Sequence, residues 1–498
     1  MQHSCPKFFS LATLFPFALF IVGGCTVALG PGYKIQKQNL ELRFVPSPEP
    51  HLAVHATYQL INSGNQSLKA IRITLPPSAA FHRQGTIARW NNQSISLQEM
   101  SPASVSEHGD TVELRWPEAW RRKQTRTLIL DYELSSGSHL GSFLAVTPDT
   151  FFAYSGSWNP VLLPPKEIFG AGGVPPKTWT ISVRVPAGDL AHASGAALKR
   201  ASSDGEWLYS FAQLPHGFAP FAAGGNYVET RIDSGGRDVR FWMQKLVDPV
   251  VAQNAAASIS ARAHYYETEY GAPANGARSI RLLECVIPTQ NFGCGALPET
   301  ILVQPAWVAR GMAERKFYED VNFELAYTWF GGIAHVAFDE YPLPMDALAP
   351  YAGWEAQAVE DGGDARAERI RNLISEFDRN VATCKEKIIL PRAANADDCA
   401  YSAAWTKSGL FFFALEDKIG RAPFHQALKS MLADRRGRDI ALEDLIAALD
   451  AEAHEPQGSF IRRWLKHPAI PEEFRARYAM AVALAANFGT NSPKETHP

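Results

Sequence analysis

The sequence predicts an α+β chain of more than one domain, with an antiparallel β-sandwich followed by a mixed region that ends in helices. Three observations carry this. Between His51 and about Thr230, apolar residues alternate with polar ones in short runs separated by turn clusters. After Gly236 the apolar period lengthens and alanine-rich helical runs take over. The chain also has 498 residues, 46% of them hydrophobic, enough to bury a large core in two or three domains. A net charge of −3 excludes the broad basic surface of a nucleic-acid binder, so no nucleic-acid partner is expected.

Lys7 precedes an apolar run from Phe8 to Gly24, which ends Ile21-Val22-Gly23-Gly24-Cys25. Small residues directly before a cysteine, after an apolar core, resemble the bacterial lipoprotein signal. That resemblance implies that residues 1–24 are removed and that Cys25 carries acyl chains. The protein would then be held at the bacterial cell envelope by a lipid anchor, with the membrane as a partner. Thr26 does not resemble an inner-membrane retention signal, so a periplasm-facing place on the outer membrane is expected. A plain signal anchor fits less well, because the run is short for a span and Pro16 interrupts it.

Residues 25–50 read as a tether. Of the six cysteines, Cys5 falls in the removed segment. Cys285 with Cys294 and Cys384 with Cys399 form two close pairs that can staple short loops after export, each contributing about 3 kcal/mol. Four cysteines allow three connectivities, and local pairing is the simplest. No C-x-x-C occurs that would suggest a cysteine-ligated zinc.

The sandwich is assigned to 51–235, with strands such as His51–Asn62, Lys69–Leu75, Thr111–Trp116, Thr127–Tyr132 and Thr178–Val185. His51 and His55 are four apart. In a strand they would stand about 13 Å apart, too far for one ion. The second domain is assigned to 236–485, and 486–498 to a polar, disordered tail. Its elements are a helix over Asp248–Tyr270, a strand from Ser279, and a glycine-rich turn leading to Thr300–Gln304. Prolines at 342, 344 and 350 predict a loop before a helix that starts near Trp354 and continues through Asp364–Ile374. Tyr401–Leu415, Phe424–Leu432 and Leu442–Leu449 complete the helices.

Between these lies Phe323-Glu324-Leu325-Ala326-Tyr327-Thr328-Trp329-Phe330-Gly331. Phe323, Ala326, Tyr327 and Phe330 recur at offsets of three and four, as in a buried helix that carries one carboxylate, Glu324. The stretch resembles the catalytic helix of alanyl-aminopeptidase-type gluzincins, a zinc metallopeptidase family, roughly H-E-x-A-H-x-W-F/W-G. Further landmarks follow in the family's order. Trp354-Glu355-Ala356-Gln357-Ala358 resembles the segment supplying the third zinc ligand, which would be Glu355. Trp405-Thr406-Lys407-Ser408 resembles the segment of the catalytic tyrosine, with Trp405 in its place. Phe460 to Pro468 resembles the closing F-x-x-W-L segment. The resemblance spans roughly Val45 to Phe474 and implies a thermolysin-like domain behind the sandwich.

The departures from that family decide the expected function. Phe323 has no lone pair for zinc, and Tyr327 could ligate only as a phenolate, at high cost near neutral pH. An indole at 405 is a poorer and differently placed donor than a phenol. Gly293 to Glu299 replaces the substrate-gripping loop, leaving Glu299 as a substitute.

The expectation is therefore a degenerate, metal-site-lacking homologue with no cofactor: lipid-anchored, catalytically inactive, and binding a peptide, an envelope protein or a membrane partner. Without a metal, Glu324 and Glu355 would need a raised pKa or a cation such as Lys407. One alternative is an active metallohydrolase with a relocated site built from His335, Asp339 and Glu340 with Glu324. Another is a structural accessory subunit of an envelope complex.

Overall fold

The computed structural model describes residues 32–76, 87–91, 93–96, 102–106, 109–135, 144–154, 158–163, 176–212, 220–273, 278–285, 296–297, 299–304, 315–336, 344–383 and 398–479. The lipoprotein signal, Cys25 and the 486–498 tail lie outside them. Among the described residues no helix is long and apolar enough to cross a membrane.

The chain is mixed α+β, with a sheet-rich first domain and a second domain dominated by helices. The main sheet of the first domain orders its strands as 196–203, 206–212, 179–186, 34–45, 51–61, 125–134, 87–90 and 93–96. Alternation decides which side of each strand is buried. In the strand over His51–Ile61, residues Leu52, Val54, Ala56, Tyr58 and Leu60 are buried. They share a core with Ile71, Ile73, Leu114 and Trp116 of the facing four-stranded sheet. In that core Trp90 and Trp116 stack with centroids 3.9 Å apart.

The expected tether is corrected here. Lys34–Val45 is a strand that pairs antiparallel with His51–Ile61 and parallel with Trp179–Pro186. Leu40, Leu42 and Phe44 fill the core, and the alternation Leu40-Glu41-Leu42-Arg43-Phe44 is that of a half-buried strand. The sandwich is therefore not purely antiparallel.

A second four-stranded sheet joins the domains, and its Thr150–Tyr154 strand shows how. Phe151 and Ala153 point into the sandwich core. Phe152 instead joins Phe221, Ala223, Tyr227, Trp242, Leu283 and Leu302 in a cluster shared with the second domain. The boundary also lies earlier than expected, because Val228–Ser234 forms a hairpin with Arg237–Met243 and belongs to the second domain's five-stranded sheet. Gly235 and Gly236 turn that hairpin at φ +58° and +75°, a conformation that favours glycine.

The helices of the second domain cover one face of its sheet. Helix α1 (Pro249–Tyr270) begins where the sequence predicts: Asp248 accepts from the amides of Val250 and Val251, and Pro249 opens the first turn. Then come α2 (Arg315–Ala326), α3 (Pro344–Asp361), α4 (Ala365–Thr383), α5 (Asp398–Ile419), α6 (Arg421–Asp434), α7 (Leu442–Ala453) and α8 (Gly458–Lys466).

Two boundaries differ from expectation. The proline-rich loop is in part helix: α3 starts at Pro344 and runs through Pro350. A first-turn proline is tolerated because it removes only an amide with no helical partner. The single long helix expected after Trp354 is broken between α3 and α4 by Gly362 and Gly363, both at positive φ.

Candidate functional site

Helix α2 ends at Ala326, and the chain then tightens. The amides of Tyr327, Thr328 and Trp329 donate three residues back, to Glu324, Leu325 and Ala326. The predicted helix therefore does not continue to Gly331, which sits at φ +146°. Trp329 fixes the turn by donating its indole N–H to the Gly271 carbonyl at 2.7 Å. Phe323 is thus on the helix, while Tyr327 lies in the tightened turn beyond it.

Helix α3 meets α2 at Gly353. A Cβ there would lie 2.8 Å from the Phe323 Cβ, so only glycine allows this approach. Four residues on, Gln357 accepts a 2.9 Å bond from Asn322. The face of α3 turned to α2 therefore carries Gly353 and Gln357. Glu355 stands roughly 200° around the helix from Gly353. Its contacts run to α1 and α6.

Three helices each bring one i, i+4 pair to that place: Tyr265 and Glu269 from α1, Tyr351 and Glu355 from α3, Arg421 and His425 from α6. Arg421 donates from Nε to Glu355 at 2.9 Å, and the Tyr265 hydroxyl donates to the other Glu355 oxygen. Arg421 also reaches Tyr265 at 3.1 Å and Glu269 at 3.4 Å. His425 bonds Glu269 through Nδ1 and stands 3.2 Å from the Tyr351 hydroxyl through Nε2. Tyr351 donates to Glu416 at 3.1 Å, and Arg366 closes the chain on Glu416 at 2.7 Å.

Burial works to raise the Glu355 pKa, but the bonds from Arg421 and then Tyr265 outweigh it, and the carboxyl is held below its ordinary value. Burial, and then the Glu355 charge, push Tyr265 well above an ordinary phenol. Of these residues only Glu355 was expected from the sequence. The missed signal is a pair of polar residues four apart on each of three helices.

The other expected residues are placed as follows. Trp405 packs edge-on against Trp354, with centroids 5.2 Å apart. Lys407 does not neutralise Glu355: its ammonium donates to the His467 carbonyl, and burial pushes its pKa down to about 8. Glu324 is buried. Glu299 lies at φ +62°, with its amide donating to Thr328 Oγ1 at 3.0 Å. His335 is in a two-residue strand paired with Asp439, and Asp339 and Glu340 lie outside the described residues. His55 is in a strand, as expected, and bonds Asp131 at 2.5 Å. Cys285 is disulfide-bonded, whereas Cys294, Cys384 and the side chain of Cys399 lie outside the described residues.

A zinc ion fits neither arrangement. Phe323 offers no donor atom, and both Glu355 oxygens are engaged. Glu355, Glu416 and His425 do bring ligand atoms within 4.8 Å of one another. Both Glu355 oxygens and both His425 nitrogens, however, already serve partners, one Glu416 oxygen accepts from Tyr351 and Arg366, and the permanent charge of Arg421 at 2.9 Å opposes a dication.

Arg421→Met should leave a buried carboxylate with the Tyr265 hydroxyl but no bonded cation. Because Arg421 is 43% exposed, solvent screening reduces the expected loss to about 2 kcal/mol, below the range for a fully buried pair. In the parent, the Glu355 contribution is present above the ordinary carboxylate pKa and lost as pH falls through the lowered folded value. In Arg421→Met, burial dominates, the folded pKa rises, and the penalty is relieved as pH falls. Denaturant unfolding from pH 7 to pH 4 should show the gap between the two proteins narrowing. A constant gap would mean that Arg421 acts by packing alone.

Sequence comparison finds no matching family model and no matching curated protein. Solved structures do match. An M1 zinc metallopeptidase from Deinococcus radiodurans superposes with a TM-score of 0.60 at 19% identity, over 88% of this chain and 95% of that one. Yeast LTA4 hydrolase gives 0.63 at 12% identity, over 88% of this chain and 69% of that one. At such identities the likeness concerns the fold, and the chain has the fold of the M1 zinc metallopeptidases.

Proposed function

We propose that this protein is a lipid-anchored, catalytically silent relative of the M1 aminopeptidases. It faces the periplasm and uses the old cleft region to hold a peptide, an envelope protein or a membrane partner. The observation that supports this most is the pairing of Glu355 with Arg421 and Tyr265. The carboxylate that the sequence resemblance would make a metal ligand accepts from a guanidinium and a phenol. Rings at Phe323 and Tyr327 fit the same reading, since they add packing where a metal site needs donors.

A second reading, an active hydrolase with a non-standard metal site, draws on the approach of Glu355, Glu416 and His425. It requires Arg421 to swing away.

One measurement separates the two. After dialysis against zinc and then metal-free buffer, the purified protein should retain substoichiometric zinc and hydrolyse no aminoacyl chromogenic substrate. One zinc per chain, lost in Glu355→Ala or His425→Ala, would overturn the silent reading. The anchor has its own test: Cys25→Ser should block lipid-dependent processing, and unmodified Cys25 recovered in a soluble mature chain would refute it.

A further inference from the structure

A cavity of about 670 Å³ lies between the sandwich and the second domain's sheet, on the face opposite the helices. Its size is in the range of small-molecule pockets. The sheet presents Arg240 and Trp242 from one strand and Ser279 and Arg281 from the next, with Thr300 beyond. The sandwich presents His192, Phe211 and the strand carrying Lys199 and Arg200. Four of the lining side chains are cationic, at 199, 200, 240 and 281, and Glu299 is the one carboxylate among them.

Two of these four cations already have partners. Arg240 is held by Asp238 at 2.6 and 2.8 Å, and Arg200 lies over the Trp207 ring. Arg281 is different. Its NH1 donates to His192 Nε2 at 3.0 Å and approaches Thr300 Oγ1 at 3.5 Å. Its guanidinium lies 4.6 Å from the centre of the Trp242 ring. Its Nε is enclosed and has no hydrogen-bond partner among the described residues.

The nearby carboxylates do not form an ion pair with Arg281 among the described residues. Asp238 serves Arg240 and Arg231, Glu229 accepts from the Trp242 indole at 2.6 Å, and Glu299 is held by its backbone to Thr328 and Arg281. Burial, and then Arg281, push the His192 pKa far down, so its ring stays neutral and supplies no counter-charge. A guanidinium with only neutral acceptors, at the wall of a cavity, is the arrangement an anionic ligand completes. Phe211, Trp242 and Leu297 give the cavity an apolar wall. One guanidinium without a counter-charge matches one negative charge.

We infer that this cavity binds a monoanionic organic carboxylate, with its carboxyl group on Arg281 and an apolar body against Trp242 and Phe211. The site stands apart from Glu355 and holds whether or not that centre is silent.

The test is calorimetric titration of the detergent-solubilised full chain with 3-phenylpropionate. Saturable binding is expected, at least tenfold weaker in Arg281→Gln and weakened in Arg281→Lys, which keeps the charge but loses the planar fork. On the unmodified protein, 3-phenylpropionamide and inorganic phosphate should each bind at least tenfold more weakly than the acid. This comparison needs no variant to fold. N-acetylphenylalanine supplies the second arm: tighter binding than 3-phenylpropionate points to a peptide's C-terminus, and weaker binding to a simple acid. Equal binding of acid and amide, phosphate binding as tightly as the acid, or Arg281→Gln matching the parent would each overturn the inference.

Discussion

A carboxylate buried among helices must be satisfied, and in this second domain Arg421 does most of that. Glu355 sits where three helices meet, and an isolated ionised group there would carry a desolvation penalty of several kcal/mol. Arg421 and Tyr265 take up its two oxygens. The same guanidinium leans on Glu269, which holds His425, which faces Tyr351, which bonds Glu416. The packing of α1, α3, α5 and α6 is therefore tied to one charge balance. Arg421 itself follows Gly420, whose φ of +92° separates α5 from α6 and starts the second helix at that point.

The α2–α3 contact is the complementary constraint. Gly353 lets the backbones of the two helices close on Phe323, and the Asn322–Gln357 bond sets their register. With that register fixed, Glu355 faces α1 and α6. The tightened turn after Ala326 moves Tyr327 off the regular helix. The close approach at Gly353 and the Asn322–Gln357 bond thus act on the same helix pair.

Much of the fold was legible in the sequence. The sandwich strands show period-two burial, and Asp248-Pro249 marks the start of α1. Lys34–Val45 was missed as a strand because its first half, Lys34–Asn39, is almost all polar, although Leu40-Glu41-Leu42-Arg43-Phe44 alternates. The α3–α4 break was missed because the helical pattern continues on both sides of Gly362 and Gly363. At the site, local reading reached Glu355 but not Arg421, 66 positions later, since no local pattern connects a carboxylate to a cation on another helix. Lys407 was the nearer guess by motif. Its burial beneath the His467 carbonyl is a tertiary fact.

The central claim is that a guanidinium, not a metal, completes Glu355. A crystal grown with zinc and measured at the zinc absorption edge tests it directly. The account predicts Arg421 Nε within hydrogen-bond reach of Glu355 and no anomalous peak at the about 2.0–2.2 Å expected of a carboxylate–zinc bond. An anomalous peak bonded to Glu355, with Arg421 turned away, would contradict it.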